Sequence, residues 1–327
     1  MSDAPPATET VFVEAPARLH FGVLDPSGSF GRWFGGIGAS APAPTLLLSA
    51  RRADTLMVEG EDAPRAARFA RCFLEFHGIR AGTRLRVHRA IPSHAGLGSG
   101  TQLALAVARA LAELHGMATD APILARAVGR TRRSAVGTWT FAGGGLVVEG
   151  GRRTGSPECS PLIARLPFPA AWHVVVAVPD AAPAINGAEE AAAFARLPPP
   201  PEREVERVAA LVLLALLPAL ADADLATFGA ALSELQVITG GWFASAQGGT
   251  FAPGPSAELV RRMTGLGAAG VGQSSWGPAV YGVVESGEHG ARLAAALRAT
   301  IGTRGTVYEG PFPTEGARVR RESNLAP

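Results

Sequence analysis

An α+β protein of two domains is what this sequence predicts, and three observations carry the prediction. The chain has 327 residues, more than one compact core usually serves, so two domains sharing an interface are expected. Strand-like runs and helix-like periodicities are interspersed along both halves. The composition is globular, 47% hydrophobic and 18% charged, and its 40 glycines and 26 prolines favour tight turns and close helix packing over disorder.

Each element follows from local pattern. Val11 to Leu24 contains short β-type runs, and the glycine-rich stretch Gly28 to Gly38, which excludes a regular helix, reads as a loop framing a site. Phe69, Phe73 and Phe76 recur at helical spacing over Ala63 to His77, whereas Leu85 and Val87 alternate as in a half-buried strand over Thr83 to Ile91. Leu103, Val107, Leu111 and Leu114 fall on one face of a helix over Thr101 to His115. Gly143-Gly144-Gly145 precedes a short strand at Leu146 to Val148. The turn-rich stretch Gly151 to Pro161 marks a boundary, so domains over 1–155 and 156–313 are expected, with a loosely ordered tail over 314–327. Downstream, a strand at Trp172 to Val178 leads to helices at Ala188 to Arg196, Glu204 to Leu217, Leu225 to Ala244, Ser256 to Leu266 and His289 to Ile301. Further strands are expected near Gly270, at Ala279 to Val284 and at Gly305 to Glu309.

Composition excludes several chemistries. The sequence contains no lysine, so all 30 basic residues are arginine. A Schiff base and a phosphate-loop lysine are therefore impossible, and an anion must be held by arginine forks, backbone amides or a metal. A net charge of +2 gives no reason to expect nucleic acid. Cys72 and Cys159 belong to no cluster, so neither a disulfide framework nor a zinc site is expected. The apolar run Val208 to Ala221 contains Pro218 and is too short to cross a bilayer, so it reads as a buried helix. The polar residues Met1 to Thr10 lack the apolar region of a secretory signal, and a cytoplasmic protein without membrane partners is expected.

The most informative stretch is Ile91 to Gln102, between an expected strand and an expected helix. Gly96, Gly98 and Gly100 let the backbone curl tightly and bring amides against an anion, and the following helix adds its N-terminal amides and positive dipole end. Phosphate or pyrophosphate is the natural guest. Ser99 and Thr101 either cap the helix or add hydroxyls to phosphate or magnesium. The loop has neither Gly-Lys-[Ser/Thr] nor a Gly-x-Gly-x-x-Gly fingerprint.

Pro92-x-x-x-Gly96-Leu97-Gly98-Ser99-Gly100 resembles the phosphate loop of the GHMP kinase superfamily. Ala15-Pro16-Ala17-Arg18-Leu19-His20-Phe21-Gly22 resembles its first motif, and Gly270 to Pro278 its glycine-rich third. Within the superfamily, Arg18 to Gly22, Gly31-Arg32, Gly35 to Gly38, His94, Gly100-Thr101-Gln102, Gly129 to Gly137 and Gly272 to Pro278 are similar to the β-ribofuranosylaminobenzene 5'-phosphate synthase family. The resemblance implies a ribosomal-protein-like N-terminal domain and a ferredoxin-like C-terminal domain. It implies condensation of phosphoribosyl pyrophosphate with 4-aminobenzoate or 4-hydroxybenzoate, releasing pyrophosphate and carbon dioxide, in tetrahydromethanopterin biosynthesis. It also implies magnesium, no organic cofactor and a homodimer.

On that reading Arg18, His20 and His94 are the catalytic candidates, and Gly96, Leu97, Gly98, Ser99, Gly100 and Thr101 hold phosphate. Arg32, Arg132, Arg133, Ser134, Gln273, Ser274 and Ser275 are candidates for substrate binding, and Asp25, Asp180, Glu189 and Glu190 for magnesium. Many GHMP kinases carry an aspartate that acts on the attacking hydroxyl, whereas Gly129 to Leu146 contains arginines and no carboxylate. A small-molecule kinase on this fold would have to use Asp25 or His20 instead. A ligand-binding protein without activity is the other alternative, against which the intact loop and Gln273 to Ser275 count.

Overall fold

Two antiparallel-dominated sheets and the helices packed on them are defined by the computed structural model, which describes residues 8–118, 120–131, 134–181 and 187–324. The first sheet is built around β1 (Thr8–Asp25) and β2 (Arg32–Ala53), paired antiparallel over most of their length. β3 (Met57–Gly60) leads through α1 (Ala63–His77) to β4 (Gly82–Arg89). The glycine loop then runs into α2 (Ser99–Leu114), followed by α3 (Ala121–Ala127), α4 (Val136–Gly143) and β5 (Leu146–Glu149). β6 (Arg152–Arg153) pairs with β2, and β7 (Leu162–Leu166) with β5.

The second sheet contains β8 (His173–Pro179), β9 (Gly270–Gln273), β10 (Val280–Val284) and β11 (Gly305–Pro311), in the order β11-β8-β10-β9. Helices α5 (Gly187–Arg196), α6 (Glu202–Ala210), α7 (Leu217–Ala221), α8 (Leu225–Gln247), α9 (Pro255–Gly265) and α10 (Gly287–Ile301) complete this half. The chain ends on β12 (Arg318–Asn324), which returns to pair antiparallel with β1.

Four expectations are corrected. As far as residue 324 the tail is not loosely ordered: Val319 faces the first-sheet core, and Arg318 and Arg321 pair with Glu14, Glu9 and Glu113. β7 belongs to the first sheet, so the structural boundary lies after Leu166 and not at 155. The glycine-rich stretch is a loop only as far as Gly31, and from Arg32 it is strand, because its glycines relieve close approach. A Cβ at Gly38 would stand 2.2 Å from the Leu19 carbonyl oxygen of the neighbouring strand. The run Val208 to Ala221 is not one regular buried helix: a π-helical segment, Leu211–Leu216, lies between α6 and α7 and exposes Leu213 and Leu214.

Along β1, Val11, Val13, Ala15, Ala17, Leu19 and Phe21 are fully buried, the period-2 pattern of a strand with one face on the core. Arg18 and His20 therefore point to the opposite face, and a register shift between His20 and Gly22 bends the strand there. One core spans both halves: the Phe21 ring centroid lies 4.9 Å from that of Tyr281 on β10. A second core fills the space between the second sheet and helices α9 and α10, around Met263, Leu293 and Leu297. Burying each such side chain contributes ~2 kcal/mol.

Candidate active site

The loop from Ile91 to Thr101 takes the curled form its glycines allow. His94, Gly96 and Gly98 have φ of 59°, 79° and 75°, and Gly98 is the left-handed cap from which α2 starts. The loop is held from both sides of the molecule. The Arg18 N–H donates to the Leu97 carbonyl at 3.0 Å, and its Nη1 donates to the Gly96 carbonyl at 2.7 Å. The Ser274 hydroxyl donates to the same Gly96 carbonyl at 2.7 Å and accepts from the His20 backbone N–H at 2.9 Å. Ala279 N–H donates to the Ala95 carbonyl at 3.1 Å. Motifs one, two and three thus meet at Gly96, where an added Cβ would lie 2.2 Å from the Ser274 carbonyl oxygen.

A cavity of about 400 Å³ opens beside this junction. One wall carries Arg18, His20, Thr101, Arg130 and Ser134; the other carries Phe34, Phe194, Phe243 and Trp276. The aromatic rings contact one another edge to face: Phe34–Phe194 centroids are 5.2 Å apart, Phe194–Phe243 5.6 Å, and Phe243–Trp276 5.1 Å. The floor is polar and ordered. Gln273 donates through Nε2 to Gln247 Oε1 at 3.1 Å and to the Ser275 carbonyl at 3.0 Å, and its N–H donates to Gln236 Oε1 at 2.8 Å. No aspartate or glutamate lines the cavity among the described residues.

Burial, reinforced by the Arg18 charge, lowers the His20 pKa to about 3, so its imidazole is neutral near pH 7. Its Nε2 lies 3.1 Å from Ser134 Oγ. The Arg130 guanidinium stacks on Phe69 at 5.1 Å and reaches the first turn of α2, where a Cβ on Gly100 would lie 2.7 Å from it.

The structure brings together Arg18, His20, Thr101, Ser134, Gln273 and Ser275, with Ser274 behind them as a tie. Leu97 contributes its carbonyl while its side chain is core, and Ser99 is buried at the helix start. His94 is exposed and outside the cavity wall. Arg32 donates to the Gly151 carbonyl at 2.9 Å and is also outside that wall. Arg132 and Arg133 lie outside the described residues.

Among the magnesium candidates, Asp25 is committed to its own turn: its oxygens accept from the backbone N–H groups of Ser27, Gly28 and Ser29 and from both serine hydroxyls. Those hydroxyls and amides hold its pKa below the usual carboxylate range against a desolvation that would raise it. Asp180 is exposed outside the cavity wall, and the side chains of Glu189 and Glu190 on α5 lie outside the described residues. No cluster of three metal-ligating side chains occurs among the described residues.

Arg130 and the aromatic wall are not among the candidates that the sequence supplies. Phe34, Phe194, Phe243 and Trp276 are ordinary core-type residues within their own segments, and only the fold assembles them.

Residues 65–143 match the GHMP kinases N terminal domain, and residues 216–302 the GHMP kinases C terminal domain. A β-ribofuranosylphenol 5'-phosphate synthase of Methanothermobacter thermautotrophicus is 32% identical over 89% of this chain and 93% of its own. The protein of that name from Archaeoglobus fulgidus is 35% identical over 85% of this chain and 89% of its own. In fold, the chain is similar to homoserine kinase from Cytophaga hutchinsonii, with a TM-score of 0.70 at 16% identity over 95% of this chain and 97% of that one. A 4-(cytidine 5'-diphospho)-2C-methyl-D-erythritol kinase gives 0.61 at 24% identity, over 92% of this chain and 98% of its own. No helix among the described residues is long and apolar enough to cross a membrane.

Proposed function

Because this chain belongs to the β-ribofuranosylphenol 5'-phosphate synthase family, enzymes on the GHMP fold, we propose that it joins phosphoribosyl pyrophosphate to a 4-substituted benzoate. The observation that carries the reading is the division of the cavity into a basic wall, which reaches Thr101 in the first turn of α2, and an aromatic wall. A sugar phosphate and a pyrophosphate suit the first, and a benzoate ring suits the second. The product named for the relatives is a phenol, which favours 4-hydroxybenzoate as the acceptor.

In the proposed reaction the bond from ribose C1 to pyrophosphate breaks, and its electron pair leaves with the pyrophosphate. Arg18, Arg130 and the amides at the start of α2 stabilise the departing charge. The ring carbon that bears the carboxylate bonds to C1, while the para oxygen feeds electrons into the ring and releases its proton to the neutral imidazole of His20. The carbon–carboxylate bond then breaks, its electrons restore the aromatic ring, carbon dioxide leaves and the proton returns to the phenol oxygen. A hydroxyl on such a cationic ring is far more acidic than a phenol, so a weakly basic imidazole suffices.

Magnesium binds through carboxylates together with substrate phosphates. The described lining offers hydroxyls and no carboxylate, a poor match for that ion, and the steps above use only the chain's own groups. The test is release of labelled carbon dioxide from carboxyl-labelled 4-hydroxybenzoate, dependent on phosphoribosyl pyrophosphate. Alcohol-dependent formation of ADP from ATP without such release would overturn the proposal in favour of a kinase.

A further inference from the structure

Gly100, the second residue of α2, has no positive φ, so its backbone conformation does not call for glycine. Glycine within a helix is otherwise unfavourable. What the residue provides is space. A Cβ on Gly100 would stand 2.7 Å from Arg130 Nη2 and 3.5 Å from Arg65 Nη1, so two guanidinium groups from different parts of the chain converge on one point at the first turn of the helix.

Each guanidinium is held from behind. Arg65, in the first turn of α1, donates through Nε to the two Asp62 carboxylate oxygens at 2.9 and 2.7 Å, and through Nη2 to Asp62 and to the Ser93 hydroxyl at 2.8 Å. Among the described residues these bonds use one edge of the fork and leave Nη1, the nitrogen nearest Gly100. Arg130 rests on Phe69, whose ring centre lies 5.0 Å from the Arg68 guanidinium as well. Like charges brought this close repel, and an anion between them removes that cost. Planar forks whose N–H groups meet at one point suit phosphate oxygens in particular. The Gly100 amide borders the same point; it has no acceptor within its own helix, and α2 has no side-chain cap.

The point lies outside the cavity wall, which includes Arg130 and Thr101 but neither Gly100 nor Arg65. Arg130 therefore belongs to both places. A donor whose reacting carbon faces the aromatic wall reaches this point only with the far end of a charged chain, and pyrophosphate is such a chain.

We propose that Arg65 and Arg130 form an anion subsite at Gly100 that takes the outer phosphate of the donor's pyrophosphate, which makes Arg65 a further substrate-binding residue. The identity of the donor rests on the synthase reading; the preference of the subsite for pyrophosphate does not. As the bond to ribose breaks, the charge that Arg18 meets at the inner phosphate is shared along the pyrophosphate with the two guanidiniums.

The test is calorimetric binding of inorganic pyrophosphate and of ribose 5-phosphate to the full-length protein, alongside kinetics. Arg65→Ala, folded as judged by its melting temperature, is expected to bind pyrophosphate at least about tenfold more weakly, the loss of one charge-assisted contact. Its affinity for ribose 5-phosphate should match the parent's. In turnover the KM for phosphoribosyl pyrophosphate should rise by a similar factor while the acceptor KM stays put. Ser93→Ala keeps the guanidinium and removes its tie to the loop, and should bind pyrophosphate as the parent does. Arg65→Lys serves if Arg65→Ala fails to fold: a single ammonium cannot keep the Asp62 pair and reach Gly100 at once, so pyrophosphate should again bind more weakly. The proposal is overturned by a parent that does not bind pyrophosphate, by unchanged pyrophosphate affinity in a folded Arg65 variant, by an equal or larger loss for ribose 5-phosphate, or by a loss in Ser93→Ala equal to that in Arg65→Ala. A parent that binds pyrophosphate through Arg65 yet releases no carbon dioxide from 4-hydroxybenzoate defeats the synthase reading alone.

Discussion

The two walls of the cavity are built in opposite ways. The basic wall is backed by a contiguous loop, residues 91–101, whose curl is set by glycines at positive φ and which ends at the start of one helix, where Thr101 reaches the cavity. Arg18 is fastened to that loop by backbone and side chain together. The aromatic wall has no such local unit: Phe34 comes from β2, Phe194 from α5, Phe243 from α8 and Trp276 from the turn after β9. A wall held by backbone geometry is rigid and charge-selective, whereas one held by edge-to-face packing of four separate segments selects by shape. Loss of one group should therefore cost catalysis on the first wall and acceptor affinity on the second.

The largest effect is expected from Arg18→Ala, which removes both the tie on Gly96 and a charge beside the departing pyrophosphate. Steady-state kinetics should show a loss of ~10³ in kcat/KM, about 4 kcal/mol, with the acceptor KM little changed. A rise in acceptor KM of the same size would erase the distinction between the walls.

Trp276→Ala should do the converse. Removing the indole from its contacts with Phe194 and Phe243 is expected to raise the acceptor KM by a factor of about 30, roughly 2 kcal/mol of lost apolar burial. The KM for phosphoribosyl pyrophosphate should stay put, and parallel titrations of the two substrates decide it.

A smaller effect is expected at Gly98. Its added Cβ would meet the Arg18 stem at 2.7 Å, so the damage passes through Arg18 and not through a direct clash with the anion. Gly98→Ala should lower turnover about tenfold by misplacing that guanidinium and abolish thermal stabilisation by pyrophosphate. In an Arg18→Ala background the same change should add less, leaving only the strain of a Cβ at the left-handed φ of 75°, a non-additivity that a double-mutant cycle measures.

An effect on stability, and not on turnover, concerns His20, whose folded pKa is about 3 against an ordinary 6.5. Between those values the unfolded chain binds the proton that the folded one refuses, so stability is retained above pH 6.5 and falls as pH drops from there toward 3. At pH 5 the loss approaches ~2 kcal/mol. Urea unfolding of the parent and His20→Gln at pH 7 and pH 5 should show a smaller pH dependence in the variant. Equal slopes would mean that the imidazole is solvated and that the basic wall is looser than its hydrogen bonds indicate.

Elements with a strong period were legible before the fold was known. α1 spans Ala63 to His77 as its phenylalanine spacing predicts, with Phe69 and Phe73 inward, although Phe76 remains half exposed. The loop at 91–101 was legible because glycine at alternate positions leaves the backbone few uses other than a tight curl. β12 was illegible because Arg318, Arg320 and Arg321 resemble a solvated tail, and only the carboxylates of Glu9, Glu14, Glu113 and Glu322 turn them into a paired edge strand. Arg32 and His94 looked functional from motif position alone, and the fold directs one to a backbone carbonyl and the other to solvent.

By itself, then, the sequence determined the mixture of helix and strand and the curled glycine loop, because each depends on residues within one turn or strand of one another, and its composition alone excluded lysine chemistry. Tertiary structure decided which arginines face the cavity, that four distant aromatic rings form its second wall, and that Glu149 is buried beside Gly36. Those outcomes depend on contacts between residues far apart in the chain, where local propensity carries no information and the packing of the two sheets chooses the neighbours.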